Sequence, residues 1–195
     1  MKDKICLLLV LIVLFSTLLY GCQQPSYTST ASSTSTPEKV FSAVYPAWDF
    51  PGAVDHATTI VYGEITNIQP AYEHINPSTG PGVEESSTIF TPIEISPIQL
   101  LKGSDTSESS ILYLRMGGEF EGVRYVSADD DTTLQAGQKV LLFLNEFNCD
   151  IGPEWVMVEE NGQVQYRDDD SQELANIPTE NYLQMIREQI SSDAE

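Results

Sequence analysis

Five consecutive apolar residues, Val140-Leu-Leu-Phe-Leu144, follow the glycine turn of Leu134-Gln-Ala-Gly137-Gln-Lys139. A half-exposed strand alternates apolar and polar side chains, so an unbroken run predicts a strand covered on both faces or set in a barrel wall. Its neighbours show the period of two. Residues 58–68 are rich in β-branched side chains, and Gly63 within them marks a bulge or a bend. Residues 88–101 carry Ile89, Ile93 and Ile95 at one parity and Ile98 and Leu100 at the other. A parity switch at Pro97 predicts a bulge that keeps both sets facing the core. Residues 111–116 alternate, with Leu112, Leu114 and Met116 expected inward, and stop at Gly117-Gly118. A weaker strand is expected over 119–127 and another over 155–158. Asn161-Gly162 is a strong hairpin signal leading into 163–166.

The period changes at the carboxyl end, where Tyr182, Leu183, Ile186 and Ile190 share one helical face behind Thr179, a candidate cap. Before the first strand, residues 40–51 are aromatic but punctuated by proline. They read as an irregular lead-in anchored by Trp48 and Phe50, followed by a short helix over 51–57. Residues 71–87, with Asn76-Pro77 and Gly80-Pro81-Gly82, read as a long surface loop, and 128–133 as an acidic one. Together these segments predict a mainly β domain over 40–192, a small barrel with a short amino-terminal helix and a carboxyl-terminal amphipathic helix packed on it.

Ahead of that domain, Lys2 and Lys4 precede an apolar block over 5–19. As a helix the block spans about 22 Å against a hydrocarbon core of about 30 Å, so it reads as an export signal and not a permanent span. It ends in Leu19-Tyr20-Gly21-Cys22, which resembles the lipobox of bacterial lipoproteins. The resemblance implies cleavage between Gly21 and Cys22 and a lipid thioether on Cys22. Residues 1–21 are then the signal peptide, and 22–38 the lipidated cysteine with a Ser/Thr/Pro tether. Its flexible part reaches about 20 to 24 Å. Several acyl chains hold a protein stably where one is marginal. The expected location is the extracytoplasmic face of a bacterial cell membrane.

Charge narrows the partners. Nine basic residues stand against 29 acidic ones, a formal net charge of -20, which repels nucleic acid and anionic lipid surfaces and leaves cations, basic partners or plain solubility. Of the three cysteines, Cys6 lies in the leader and Cys22 ends it, so Cys149 is expected as a free thiol serving as a small buried residue.

The order Val61-Tyr-Gly63-Glu-Ile65, Leu100-Leu-Lys102-Gly103, Met116-Gly117-Gly118 with Gly122, and Leu134-x-x-Gly137-x-x-Val140-Leu-Leu-Phe-Leu144 resembles a group of bacterial exported lipoproteins. Their domain is similar to the five-stranded OB-type barrel of netrin-like modules and tissue inhibitors of metalloproteinases. The resemblance implies strands over 58–68, 88–101, 111–116, 139–145 and 155–159. It does not carry the inhibitors' mechanism, which uses a free amino-terminal cysteine and a disulfide frame; here the lipobox implies that Cys22 is acylated, and a tether separates it from the domain.

Candidate chemistry is sparse. His56 and His74 lack the spacing of a zinc site, no serine sits in a nucleophile elbow, and Gly117-Gly118 is a bend and not a phosphate loop. Asp129, Asp130 and Asp131 are candidate ligands for Ca2+, as a loop rich in carboxylate oxygens, without the distal glutamate of an EF-hand; Asp168-Asp169-Asp170 is a second such run. Glu119 and Glu121, flanking Phe120, are candidate paired carboxylates. The functional expectation is a lipid-anchored, noncatalytic binding or protein-interaction module with no other cofactor. Its partner is a cell-envelope protein or ligand, met by residues 71–87 or 128–133. The alternatives are an acidic cell-envelope hydrolase working through Glu119, and a calcium-responsive surface adhesion domain.

Overall fold

The computed structural model describes residues 36–77, 85–104, 109–128, 132–167 and 174–192. In chain order the first half comprises β1 (Glu38–Phe41), α1 (Phe50–His56), β2 (Thr59–Ile68), β3 (Tyr72–Asn76), β4 (Ser86–Lys102) and β5 (Ile111–Met116). The second half comprises β6 (Gly118–Phe120), β7 (Val123–Ser127), β8 (Lys139–Leu144), a 3-10 turn (Pro153–Trp155), β9 (Val156–Val158), β10 (Gln163–Arg167), β11 (Leu174–Pro178) and α2 (Thr179–Ser192). The protein is mainly β, as expected, with both helices in place.

The principal sheet is organised by β4. Its partners β2 and β3 run one after the other along a single edge, because Ile68 pairs with Ile93 and Tyr72 with Phe90. Ile93 and Ile95 also pair with Tyr113 and Ile111, so β5 occupies the opposite edge. On the far side of β2 lies β8, and beyond it β9, giving the order β5–β4–β2–β8–β9. Every ladder in it is antiparallel.

β8 is buried on both faces. Val140, Leu142 and Leu144 point into a cluster with Val61, Ile65, Ile93, Ile95, Tyr113 and Val156. Leu141 and Phe143 point the other way, against Ala53 and Val54 of α1 and Tyr182, Leu183 and Ile186 of α2. The unbroken apolar run is thus the shared wall of two cores, and each of its side chains gains about 1.5 to 3 kcal/mol from burial. α1 begins with a capped turn, Gly52 N donating to Asp49 Oδ1 at 2.8 Å. Trp48 and Phe50 pack against its cluster, as anticipated.

The sheet does not close into the expected five-stranded barrel: among the described residues, β5 and β9 do not pair. Loops take the place of the missing ladder. Leu114 N donates to the Asn148 carbonyl at 2.8 Å, the Arg115 guanidinium donates to the Thr132 carbonyl, and the Leu134 side chain fills the core next to Tyr113 and Val156.

Further expectations are corrected. In β5 the buried side chain is Tyr113, while Leu112 is 40% exposed. The apolar alternation is outvoted because the Tyr113 hydroxyl donates to the buried Asp150 carboxylate at 2.9 Å, joining β5 to the middle of the β8–β9 connection. Among the described residues of the expected loop at 71–87, Tyr72–Asn76 form strand β3, which pairs with residues 86–90 of β4 and seats Tyr72 beside Phe90. Residues 119–127 form a β6–β7 hairpin in place of one strand, turned at Glu121 and Gly122, both in the left-handed region. That hairpin joins β1 in a separate three-stranded sheet through parallel β1–β7 pairing, so the lead-in contains a strand. The bulge in β4 falls where it was expected, with Tyr62 opposite Gln99 and Gly63 opposite Pro97, but Ile98 points outward and is 49% exposed. Gly63 permits this close pairing: a Cβ there would lie 2.6 Å from Ile95 Cγ2 and from the Ser96 carbonyl.

β10 and β11, the latter not foreseen, pair with each other after the Asn161-Gly162 turn. Tyr182, Leu183 and Ile186 form the buried face of α2.

Candidate functional site

The β6–β7 hairpin stands against the end of the main sheet and encloses a cleft of about 360 Å³ with it. The join is made by Gly117 and Gly118 at φ +91° and +125°. Gly117 N donates to the Ile89 carbonyl at 2.7 Å, and Thr91 Oγ1 donates to the Gly117 carbonyl at 2.6 Å. A Cβ on Gly118 would come within 2.1 Å of Thr91 Oγ1. The glycine pair is therefore required by close approach as well as by backbone conformation.

The main sheet presents Thr91, Arg115 and Met116 to this cleft, and the hairpin presents Glu119, Arg124 and Tyr125. The segment carrying Thr132 and Leu134 forms the third wall. Arg115 is braced by its bond to the Thr132 carbonyl. Arg124 is exposed and sits in register between Glu119 of β6 and Glu38 of β1. Lys39, paired with Tyr125, places its Nζ 5.3 Å from the centre of that ring. Three of the chain's nine basic residues thus gather on this one structure. Glu119 is the single carboxylate among the described residues lining the cleft.

A second groove, about 550 Å³, borders the first at Thr132 and Thr133 and is lined by the carboxamides of Gln138, Asn161, Gln163, Gln165 and Asn176. Gln165 and Asn176 face each other across the β10–β11 ladder.

The most perturbed ionisable pair lies outside both cavities. Tyr62 Oη donates to Glu159 Oε2 at 2.6 Å, and Lys139 Nζ lies 3.5 Å from Glu159 Oε1. Burial raises the Tyr62 hydroxyl well above its ordinary range, helped by the Glu159 charge. Burial also pushes Glu159 upward, but the Tyr62 hydrogen bond, the nearby Thr179 hydroxyl and the Lys139 charge outweigh it and hold the carboxyl below its usual value. Thr179 contributes by proximity, since its hydroxyl makes no well-formed hydrogen bond. The Cys149 thiol is pushed up to about 11 by burial, with Asp150 adding to the effect.

The sequence-derived candidates are dispersed. Glu119 faces the cleft, whereas Glu121 stands exposed at the hairpin tip, so the two carboxylates do not converge. His56 lies on α1 against the Trp48 ring and His74 on β3 near Phe90. Gly21, Cys22, Asp129, Asp130, Asp131 and the run at 168–170 lie outside the described residues. Among those described, no group of three or more His, Cys, Asp or Glu side chains is poised to hold a metal, and no helix is long and apolar enough to cross a membrane. Arg115 and Arg124 were missed by sequence reasoning. The available signal was their scarcity: four arginines in a strongly acidic chain, two of them nine positions apart around Gly117-Gly118.

Comparison of the chain with protein-family models, curated proteins and solved structures gives no match.

Proposed function

We propose that this protein is a lipid-anchored, extracytoplasmic binding module, noncatalytic, whose ligand site is the cleft between the β6–β7 hairpin and the main sheet. The cleft carries the reading: it has two braced walls, a volume at the lower end of the small-ligand range of about 300 to 1,000 Å³, and convergent polar groups over an apolar floor. The anchor rests on the Lys2/Lys4 start, the apolar block and Leu19-Tyr20-Gly21-Cys22. An OB-type frame is supported by the pairing order, in which a meander of β2–β4–β5 shares β2 with the β8–β9 hairpin; OB barrels are five-stranded and partly open. The partner is a component of the cell envelope, with nucleic acid disfavoured by the charge.

The test is a titration of the 15N-labelled full chain, in neutral nanodiscs, with enzymatically released cell-wall fragments. Binding at the cleft shifts the amides of Gly117, Gly118 and Ser127 and leaves the fragments intact. Fragment cleavage that disappears in Glu119→Gln would establish the hydrolase alternative instead. Metabolic palmitate labelling, lost in Cys22→Ala, tests the anchor.

A further inference from the structure

The groove bordering the hairpin cleft, at about 550 Å³, falls within the small-ligand range of about 300 to 1,000 Å³ and carries a different chemistry from the cleft. We infer that it is a second ligand site, independent of the cleft, that takes a neutral, hydroxyl-rich ligand of the saccharide class.

The groove is built on one face of the β10–β11 ribbon. Val164, Tyr166 and Ile177 of that ribbon pack into the core shared with α1 and α2. Side chains alternate across a strand, so Gln163 and Gln165 turn away from the core, and Asn176, in register with Gln165, stands on their side. Partners across an antiparallel ladder lie about 4.5 to 5.5 Å apart and second neighbours along a strand about 6.5 to 7 Å, so the three carboxamides form a compact triangle. Other parts of the chain complete the lining: Asn161 at the hairpin turn, Thr133, and Gln138 just ahead of β8. The Gln138 side-chain carbonyl accepts from Gln135 N at 2.6 Å, which orients that carboxamide and leaves its N–H donors. The side chains of Asn161, Gln163, Gln165 and Asn176 make no hydrogen bond among the described residues, so their donors and acceptors are open to a ligand.

A carboxamide offers two donors beside a carbonyl acceptor, and a hydroxyl likewise both donates and accepts. A ligand bearing adjacent hydroxyls therefore satisfies both halves of each carboxamide. An apolar ligand would strip water from them without replacing it, which is costly. A peptide strand added to a sheet bonds along an edge, whereas these side chains stand on a face. The described lining holds no lysine or arginine to recognise an anion. A hydroxyl donates to a carboxylate as readily as to a carboxamide, so Glu160 in the lining suits a saccharide. The acidic runs at 129–131 and 168–170, outside the described residues, likewise favour a hydroxyl-bearing ligand over an anion wherever they stand. With no aromatic ring in the described lining, affinity comes from a few neutral hydrogen bonds and is about millimolar.

The experiment titrates the 15N-labelled full chain, in neutral nanodiscs, with cellotriose, triacetylchitotriose, trigalacturonate, tetraethylene glycol and calcium chloride. It reads the side-chain amides of Gln165 and Asn176, the backbone amides of Gly162 and Gln163, and those of Gly117 and Gly118 in the cleft. At least one neutral trisaccharide is expected to shift the four groove signals saturably, with trigalacturonate weaker and tetraethylene glycol, which lacks donors along its chain, without effect. The double variant Gln165→Ala/Asn176→Ala, at exposed positions, should keep its melting temperature and bind that trisaccharide about tenfold more weakly by the Gly162 and Gln163 signals. The inference is overturned if neither neutral trisaccharide moves the groove signals, if they move only Gly117 and Gly118, if tetraethylene glycol acts as they do, or if the double variant binds as well as the parent. Calcium shifts that replace the saccharide response and vanish in Glu160→Gln would make the groove a cation site and overturn it too. Each of these outcomes leaves the reading of the hairpin cleft to its own test.

Discussion

Replacing Tyr62 by Phe removes one hydroxyl and no carbon, so it isolates a single bond. That hydroxyl donates to Glu159 at 2.6 Å, in a site where Tyr62 is 5% and the Glu159 side chain 13% exposed. A hydrogen bond to a charged acceptor contributes about 1.5 to 3 kcal/mol. The Lys139 pair cannot replace it, since Lys139 is 46% exposed and such pairs give about 0 to 1 kcal/mol. The variant should therefore lose about 2 kcal/mol, or about 4 to 8 °C in Tm for a domain of this size. The pH dependence carries a sign. Glu159 has its carboxyl held down in the folded protein, so its contribution is full above the ordinary carboxylate range and fades as pH falls through that range toward the depressed value. Tyr62 has its hydroxyl held up, so its contribution is full below the ordinary tyrosine range and fades as pH rises above it. Urea unfolding followed by circular dichroism at pH 7, 5 and 3 should show the gap between variant and parent widest at pH 7 and shrinking at pH 3. A loss under about 0.5 kcal/mol at pH 7, or an equal gap at pH 7 and 3, refutes the bond as an ionised, stabilising contact.

Other perturbations test the remaining parts. Gly118→Ala must fit a Cβ 2.1 Å from Thr91 Oγ1 at φ +125°, and should cost about 2 kcal/mol or more and speed hydrogen exchange across β6 and β7. Gly122→Ala meets open space at φ +75° and should cost only about 1 kcal/mol. Leu141→Ala, in the wall between the two cores, should lose about 2 to 5 kcal/mol, while Leu112→Ala should stay within about 0.5 kcal/mol by the same denaturation assay. Cys149, with its thiol at about 11, should be alkylated at pH 8 about two orders of magnitude more slowly than a free cysteine, and should reach the free rate in urea.

The elements that sequence could identify are those in which one local signal acts alone. The apolar run of β8, the helical face of α2 and the bulge opposite Gly63 each follow from side-chain period or glycine sterics within a few residues. The failures occur where a distant partner decides. β5 reverses its parity because Asp150, 37 residues away, accepts a buried hydroxyl from Tyr113. β3 is a strand because β4 offers it an edge, despite the Asn76-Pro77 signal that follows. The candidate cleft was hidden for the same reason: Arg115 and Arg124 belong to different sheets, and their approach depends on the turn at Gly117-Gly118.

The open barrel and the cleft have one structural origin. To close the sheet, β9 would have to occupy the outer edge of β5, where Leu114 now donates to Asn148 and Arg115 to Thr132. Closure would displace the segment carrying Thr132 and Leu134, and that segment is both the plug of the inner core and a wall of the cleft. It would also take Arg115 from its brace. The residue following β5 is Gly117, whose positive φ turns the chain away from the sheet into the hairpin that supplies Arg124 and Tyr125. A sheet left unclosed at β5 therefore exchanges one strand ladder for a cavity. The exchange is tolerable because the Asn148 carbonyl accepts from the β5 edge and Leu134 packs into the inner core. It follows that Leu134→Ala should affect both properties at once, weakening the fold by about 2 to 5 kcal/mol and enlarging the cleft, so that unfolding midpoint and ligand affinity fall together. A variant that lost stability while the Gly117 and Gly118 amides kept their positions would separate the plug from the wall and break this link.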